Sequence, residues 1–199
     1  MNKNFYSPTM LTRFINCKHI ITNEFNEKTL NLKRTEKTFS DKLRLEKGLI
    51  HELNYFKELS KKYKKIKNIK DLKSLSKKEK IKETIKALKQ GYELIYGGWL
   101  ESGKWSGELD FLEINKDLKS NLGNWSYEVT DTKNSASVKG DHVYQVGLYC
   151  FLLKETQGTL PNNFYILLKD KSKKQLILEK FMILFYYIKI LMKTLFQMN

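Results

Sequence analysis

Two hydrophobic periods divide this chain, and the points where one gives way to the other mark its elements. Ser7-Pro8-Thr9 reads as a capped helix start, with Leu11, Phe14 and Ile15 on an apolar side and Cys17-Lys18-His19 at the end. From about Asp41, Leu45, Leu49, Leu53 and Phe56 recur at offsets of four, four and three. That spacing predicts a helix that turns this stripe to the core, with His51 about 200° around the wheel from Leu49 and so off the stripe. A further helix is marked by Ser76 and Glu79, which form a capping box, and by Ile81, Ile85, Leu88, Tyr92 and Ile95 up to a stop at Gly97-Gly98.

After Trp99 the period shortens to two. Trp99-Leu100, a turn at Ser102-Gly103, and strands over Trp105 to Ile114 and Trp125 to Lys133 follow, the last two separated by a polar loop through Asn121 to Asn124. A helix from about Asp141 to Glu155 comes next, then Pro161-Asn162-Asn163 and a strand over Phe164 to Leu168. The order is helix, three strands, helix, strand. It predicts an α/β core with N-terminal helical additions, one domain over residues 1–175.

Two stretches do not fit this alternation. Between Lys57 and Lys89 there are fourteen lysines, and Lys61 to Lys78 has so few apolar residues that it reads as a basic, exposed insertion near residues 57–78. From residue 176 on the chain turns apolar, with eight apolar residues in a row from Phe181 to Ile188. Lys180, Lys189 and Lys193 interrupt it too often for a membrane span, so it reads as a C-terminal helix docked on the core or a truncated continuation.

Composition changes the picture at two points. The formal charge of +15 favours a polyanionic partner, a reading discounted because only Arg13, Arg34 and Arg44 are arginines and the abundance of Lys, Asn and Ile is what an AT-rich coding sequence would give. Cys17 and Cys150 are too few for a disulfide framework or a four-cysteine iron–sulfur cluster, and no secretory leader opens the chain, so a reducing cytoplasm is expected.

The candidate chemistry lies in the strands: Gly107-Glu108-Leu109-Asp110, then Asp131-Thr132-Lys133 at the end of the next strand. Side chains alternate across a sheet, so Asp131 and Lys133 share a face and Glu128 takes the other. If the strand of Asp110 lies alongside, two carboxylates and one ammonium converge, a set suited to a hard cation such as Mg²⁺. A metal held by carboxylates beside a lysine meets the needs of phosphodiester hydrolysis. On the following helix, Gln145 and Tyr149 share a face, and His142 joins them three residues before Gln145.

The residues around these groups resemble the RecB-like nuclease family of the PD-(D/E)xK superfamily in four ordered pieces. Ser7-Pro8-Thr9-Met10-Leu11 through Cys17 is similar to the family's opening helix, with Lys18 where the family has proline. Gly48-Leu49-Ile50-His51 resembles its Gly-x-x-His helix, Gly107 to Asp110 and Asp131-Thr132-Lys133 its two catalytic strands, and Gln145 to Tyr149 its Gln-x-x-x-Tyr helix. The resemblance implies a restriction-endonuclease-like core and a Mg²⁺- or Mn²⁺-dependent deoxyribonuclease acting in DNA repair, recombination or defence. By the same token Asp110 and Asp131 would bind the metal, with His51 completing its shell. Lys133 would assist catalysis, and Gln145 and Tyr149 would orient the site and the substrate. Single-stranded ends or flaps are the DNA it implies, beside a helicase or second nuclease domain as partner, with no iron–sulfur cluster. The competing expectation is a non-catalytic nucleic-acid-binding module of the same fold; a membrane-linked accessory protein, resting on the apolar tail, is a further one.

Overall fold

The computed structural model describes residues 6–27, 29–33, 35–183, 186 and 190. Four of the eight residues of the apolar run expected from Phe181 to Ile188, and all of the chain after it except residue 190, lie outside them. The helices are α1 (Pro8–Asn16), α2 (Lys18–Asn26), α3 (Phe39–Lys62), α4 (Lys77–Lys89) and α5 (Gly140–Gln157). The strands are β1 (Ile66–Asn68), β2 (Leu94–Ser102), β3 (Trp105–Asn115), β4 (Ser126–Thr132), β5 (Asn163–Leu167) and β6 (Lys173–Ile177). They form one six-stranded mixed sheet in chain order. β1 pairs parallel with β2 and β4 with β5, the other neighbours antiparallel. The protein is thus an α/β fold whose sheet is flanked by helices.

The two parallel pairs each need a helical crossover, which α4 and α5 supply. These helices cover one face: Ala87 and Leu88 of α4 and Val146, Tyr149, Cys150 and Leu153 of α5 pack on Ile95, Leu112, Val129 and Phe164. The opposite face receives α3, through Tyr55 and Leu59 against Leu94, Tyr96, Phe111 and Leu167. α1 and α2 add a small satellite core of Leu11, Phe14 and Ile21 beside α5. Both helix starts that the side chains announce are real: Ser7 accepts the Met10 N–H at 3.1 Å, and Ser76 with Glu79 closes a capping box, each worth about 1 kcal/mol.

Four expectations change. The stripe Leu45, Leu49 and Leu53 faces solvent, at 57%, 51% and 39% exposure, and α3 instead packs through Glu52, Tyr55 and Leu59. Of the expected stripe only Phe56 packs inward, stacked on Tyr96, and with Tyr55 edge-on to Phe111 it turns the helix so that the leucines face solvent. The basic stretch near 57–78 is not a mere exposed connection: it contains β1, the fully buried Ile69 and the partly buried Lys70. α4 ends at Lys89 rather than running on to Ile95, because Gly91 takes a left-handed φ of +63°. Tyr92 then lies between elements, and Ile95, Gly97 and Gly98 belong to β2. Residues 173–177 form β6 and Leu178–Phe181 a 3₁₀ turn, so the helix or truncated continuation expected from 176 does not start there, and helical residues follow only from 182; the Phe181 ring meets Phe164 at 6.1 Å. Among the described residues no helix is long and apolar enough to cross a membrane.

The α3 face of the sheet also buries polar groups. Glu113 accepts from Thr130 Oγ1 at 2.5 Å, Tyr63 at 3.0 Å and Lys173 at 2.6 Å. Burial opposes its charge, but Lys173 and the two hydroxyls outweigh burial and hold its pKa below the ordinary value. The folded pKa is therefore depressed below an unfolded value of about 4.3, so the stabilisation is complete above that pH and is lost as pH falls through the folded value. Glu113→Gln is expected to cost about 2 kcal/mol at pH 7 and progressively less toward pH 3, as thermal melts followed across that range would report.

Candidate functional site

The register of β3 and β4 decides whether the two aspartates can meet. Leu112 pairs with Val129 and Phe111 with Thr130. Asp131 stands two residues from Val129 and so lies on the face that α5 covers; Asp110, between Leu109 of that core and Phe111 of the α3 core, reaches it at the strand ends, where Thr132 holds its carboxylate. Glu128, paired with Glu113, takes the other face, where it accepts from Asn163 at 3.3 Å and Tyr165 at 3.1 Å.

Thr132 ties the strand ends together. Its backbone N–H and its hydroxyl both donate to Asp110 Oδ2, at 2.8 and 2.7 Å, which leaves the other Asp110 oxygen to the site. Asp131 is 2% exposed, and its Oδ2 lies 2.5 Å from Lys133 Nζ. That oxygen has no further donor in hydrogen-bond geometry. Burial pushes the Asp131 carboxyl up to about 7, with Asp110 and Glu52 adding to the rise and Lys133 opposing it. On Lys133 burial works against the ammonium, yet Asp131 and Asp110 more than offset it and raise its pKa, so the lysine stays charged.

α5 closes this group from above. Lys133 Nζ donates to Gln145 Oε1 at 3.0 Å, and Gln145 Nε2 approaches the Tyr149 hydroxyl at 3.4 Å. The helix comes this close because β3 has Gly107 beneath it. A Cβ at that position would stand 2.7 Å from Tyr149 Cε1 and 2.9 Å from Pro8 Cδ, a separation that forces one of them to move. The glycine of the Gly107 to Asp110 segment is thus the seat of the Tyr149 ring. His142 is spent on the helix start, where its Nδ1 accepts the Lys139 N–H at 3.2 Å.

From the α3 side the nearest group is Glu52, the neighbour of the expected His51. Glu52 is 8% exposed; burial first, then Asp110, raises its pKa. It pairs with Lys70, whose ammonium also lies 3.8 Å from Glu108. His51 points its Nε2 toward the Leu167 carbonyl oxygen, at 3.5 Å, on the β5 residue paired with Thr132. The structure therefore brings together Asp110, Asp131, Lys133, Gln145 and Tyr149, and places His51 at the margin of the group. Sequence reasoning missed Glu52, Lys70 and Thr132. The signal for Glu52 was available, since it shares the Tyr55 and Leu59 stripe on α3.

The donor set suits a hard divalent ion: carboxylate oxygens from β3, β4 and α3, including a buried Asp131 oxygen short of donors. As the side chains stand, no three His, Cys, Asp or Glu groups among the described residues converge closely enough to hold one. Two ammonium groups, of Lys70 and Lys133, sit against the carboxylates. No protein-family model matches the chain, and no curated protein matches it.

Proposed function

We propose that this protein is a metal-dependent nuclease that hydrolyses DNA phosphodiester bonds, built on a PD-(D/E)xK core of the RecB-like kind. The observation that carries this reading is the cluster itself: Asp110, Asp131 and Lys133 at the ends of adjacent strands, Asp110 held by Thr132, with Gln145 on Lys133 and Tyr149 behind it. Burying a lysine against an aspartate costs desolvation free energy, and groups with strongly shifted pKa values gather at functional sites.

Mg²⁺ or Mn²⁺, when bound, supplies Lewis acidity toward the phosphoryl oxygen and the attacking water. Asp110 is held in one rotamer by Thr132, so its free oxygen is aimed without entropic cost. Asp131 presents its oxygen from a site that excludes bulk water, which strengthens its pull on a cation. The Lys133 ammonium, fixed by Gln145, is placed to hold the attacking water and to offset the negative charge that grows on phosphorus oxygens in the transition state. Glu52 and His51 are the two α3 groups able to complete the shell. The lysine excess would hold the DNA backbone, with single-stranded ends or flaps the preferred form.

Cleavage of labelled single- and double-stranded DNA by the purified chain tests this directly. Cutting is expected with Mg²⁺ or Mn²⁺ and none with EDTA. Salt-sensitive binding that survives EDTA, without cutting of either substrate under any metal, would instead assign the fold to nucleic-acid binding alone.

A further inference from the structure

Lys70 follows the fully buried Ile69, where the chain leaves β1. Its aliphatic stem runs across Gly97 of β2, so closely that a Cβ at Gly97 would stand 2.2 Å from Lys70 Cγ. Gly97 also holds a φ of +68°, which strains any other residue. β2 thus carries a notch at this point, and the stem of Lys70 fills it. The ammonium emerges among the carboxylates, paired with Glu52, 3.8 Å from Glu108 and 5.1 Å from the centre of the Tyr96 ring. Burial alone would lower its pKa, but Glu52, Asp110 and Glu108 reverse the effect, so it is a permanent positive charge at neutral pH.

We propose that Lys70 is a tethered cation that holds the place of the divalent ion on the α3 side of the cluster, so that metal binding must displace its ammonium from Glu52. This rests on reading the cluster as a metal centre. Glu52 and Asp131 are buried carboxylates, 8% and 2% exposed, and each is paired with one ammonium, Lys70 on Glu52 and Lys133 on Asp131. A buried carboxylate keeps its charge only beside such a cation. Lys133 serves the Asp131 side and Lys70 the Glu52 side. A divalent ion and an ammonium cannot both occupy the Glu52 oxygen that Lys70 holds, so one leaves. The lysine stem is flexible and already crosses the rim through the Gly97 notch; once released, its ammonium faces an incoming phosphate. Metal and substrate phosphate would then bind cooperatively, because the phosphate takes over the cation that the metal evicts.

The test is Mn²⁺ binding by the full chain, read from the electron paramagnetic resonance signal of the free ion and independent of any cleavage. Lys70→Met is expected to bind Mn²⁺ roughly tenfold more tightly than the wild type, and Glu52→Gln is expected to erase that gain in the double variant. Lys70→Gln, which keeps a donor to Glu52, should move affinity in the same direction and serves if the methionine variant melts early. Unchanged or weaker binding in the Lys70 variants, with binding lost in Asp131→Asn, would overturn the proposal and leave the metal centre standing. Absence of Mn²⁺ binding from wild type and Lys70 variants alike would overturn both.

Discussion

Asp131→Asn is expected to lower metal-dependent DNA cleavage by at least about 10³-fold while leaving the fold intact. The substitution keeps the shape of the side chain and removes only its charge. Asp131 is almost wholly buried, and burial together with Asp110 and Glu52 disfavours its ionised form; only Lys133 favours it. Removing that charge relieves a local repulsion, and Lys133 keeps Asp110 and Asp141 as counter-charges. The melting free energy should therefore stay within about 1 kcal/mol of wild type, the pattern expected where a site spends stability on function. Lys133→Met should also abolish cutting, but by a different route: Asp131 then loses its only counter-charge, and the loss falls on the catalytic step rather than on DNA affinity. Single-turnover rates at saturating DNA, beside thermal melts, separate these effects. Cleavage at wild-type rate in Asp131→Asn would sink the assignment of the site.

The second expected result concerns which residue of α3 faces the metal. Glu52→Gln should weaken Mn²⁺ affinity and cleavage by roughly 10²-fold, and His51→Ala by no more than about tenfold. Glu52 is buried, has its pKa raised by burial and by Asp110, and lies in the ion-pair cluster, whereas His51 Nε2 faces the Leu167 carbonyl oxygen at 3.5 Å. In Glu52→Gln, Lys70 also loses its main partner, so part of the loss in metal affinity is offset by the departure of a competing cation. For that reason calorimetric Mn²⁺ titration of both variants and of wild type is the measurement of choice. A larger effect from His51→Ala would mean that the imidazole swings inward when the metal binds, and that the shell implied by the family resemblance is the working one.

The antiparallel neighbours and the exposed groove around Glu128 set the other side of the sheet apart from this chemistry. Tyr63, Glu93, Asp117, Glu128, Asn163 and Tyr165 line that groove. Glu128 was placed there by alternation alone, and its partners Asn163 and Tyr165 account for it as a structural carboxylate. The exposed leucines of α3 mark a different feature, an apolar helix flank on the solvent side.

Local signals in the chain were enough for much of the architecture. Ser7 and Ser76 announced helix starts because their hydroxyls satisfy nearby N–H groups, an interaction confined to one turn. The period-two stretches gave β3, β4 and β5, and alternation placed Asp131 with Lys133 and against Glu128, since a strand offers only two faces. Tertiary structure decided the rest. Whether α3 buried Leu49 or Tyr55 depended on Phe111 and Tyr96, residues more than forty positions away, and a helical wheel ranks two apolar stripes without knowing what faces them. β1 escaped notice because a three-residue strand among lysines has no periodicity of its own; it exists through pairing with β2. β6 likewise follows from the hairpin with β5 rather than from its polar sequence. Asp110 and Asp131 were legible as chemistry, but their meeting depended on register. Lys70 was hidden for the same reason, since a charge becomes part of a site through what the fold sets beside it, whereas Glu52 was marked only as a member of the Tyr55 and Leu59 stripe.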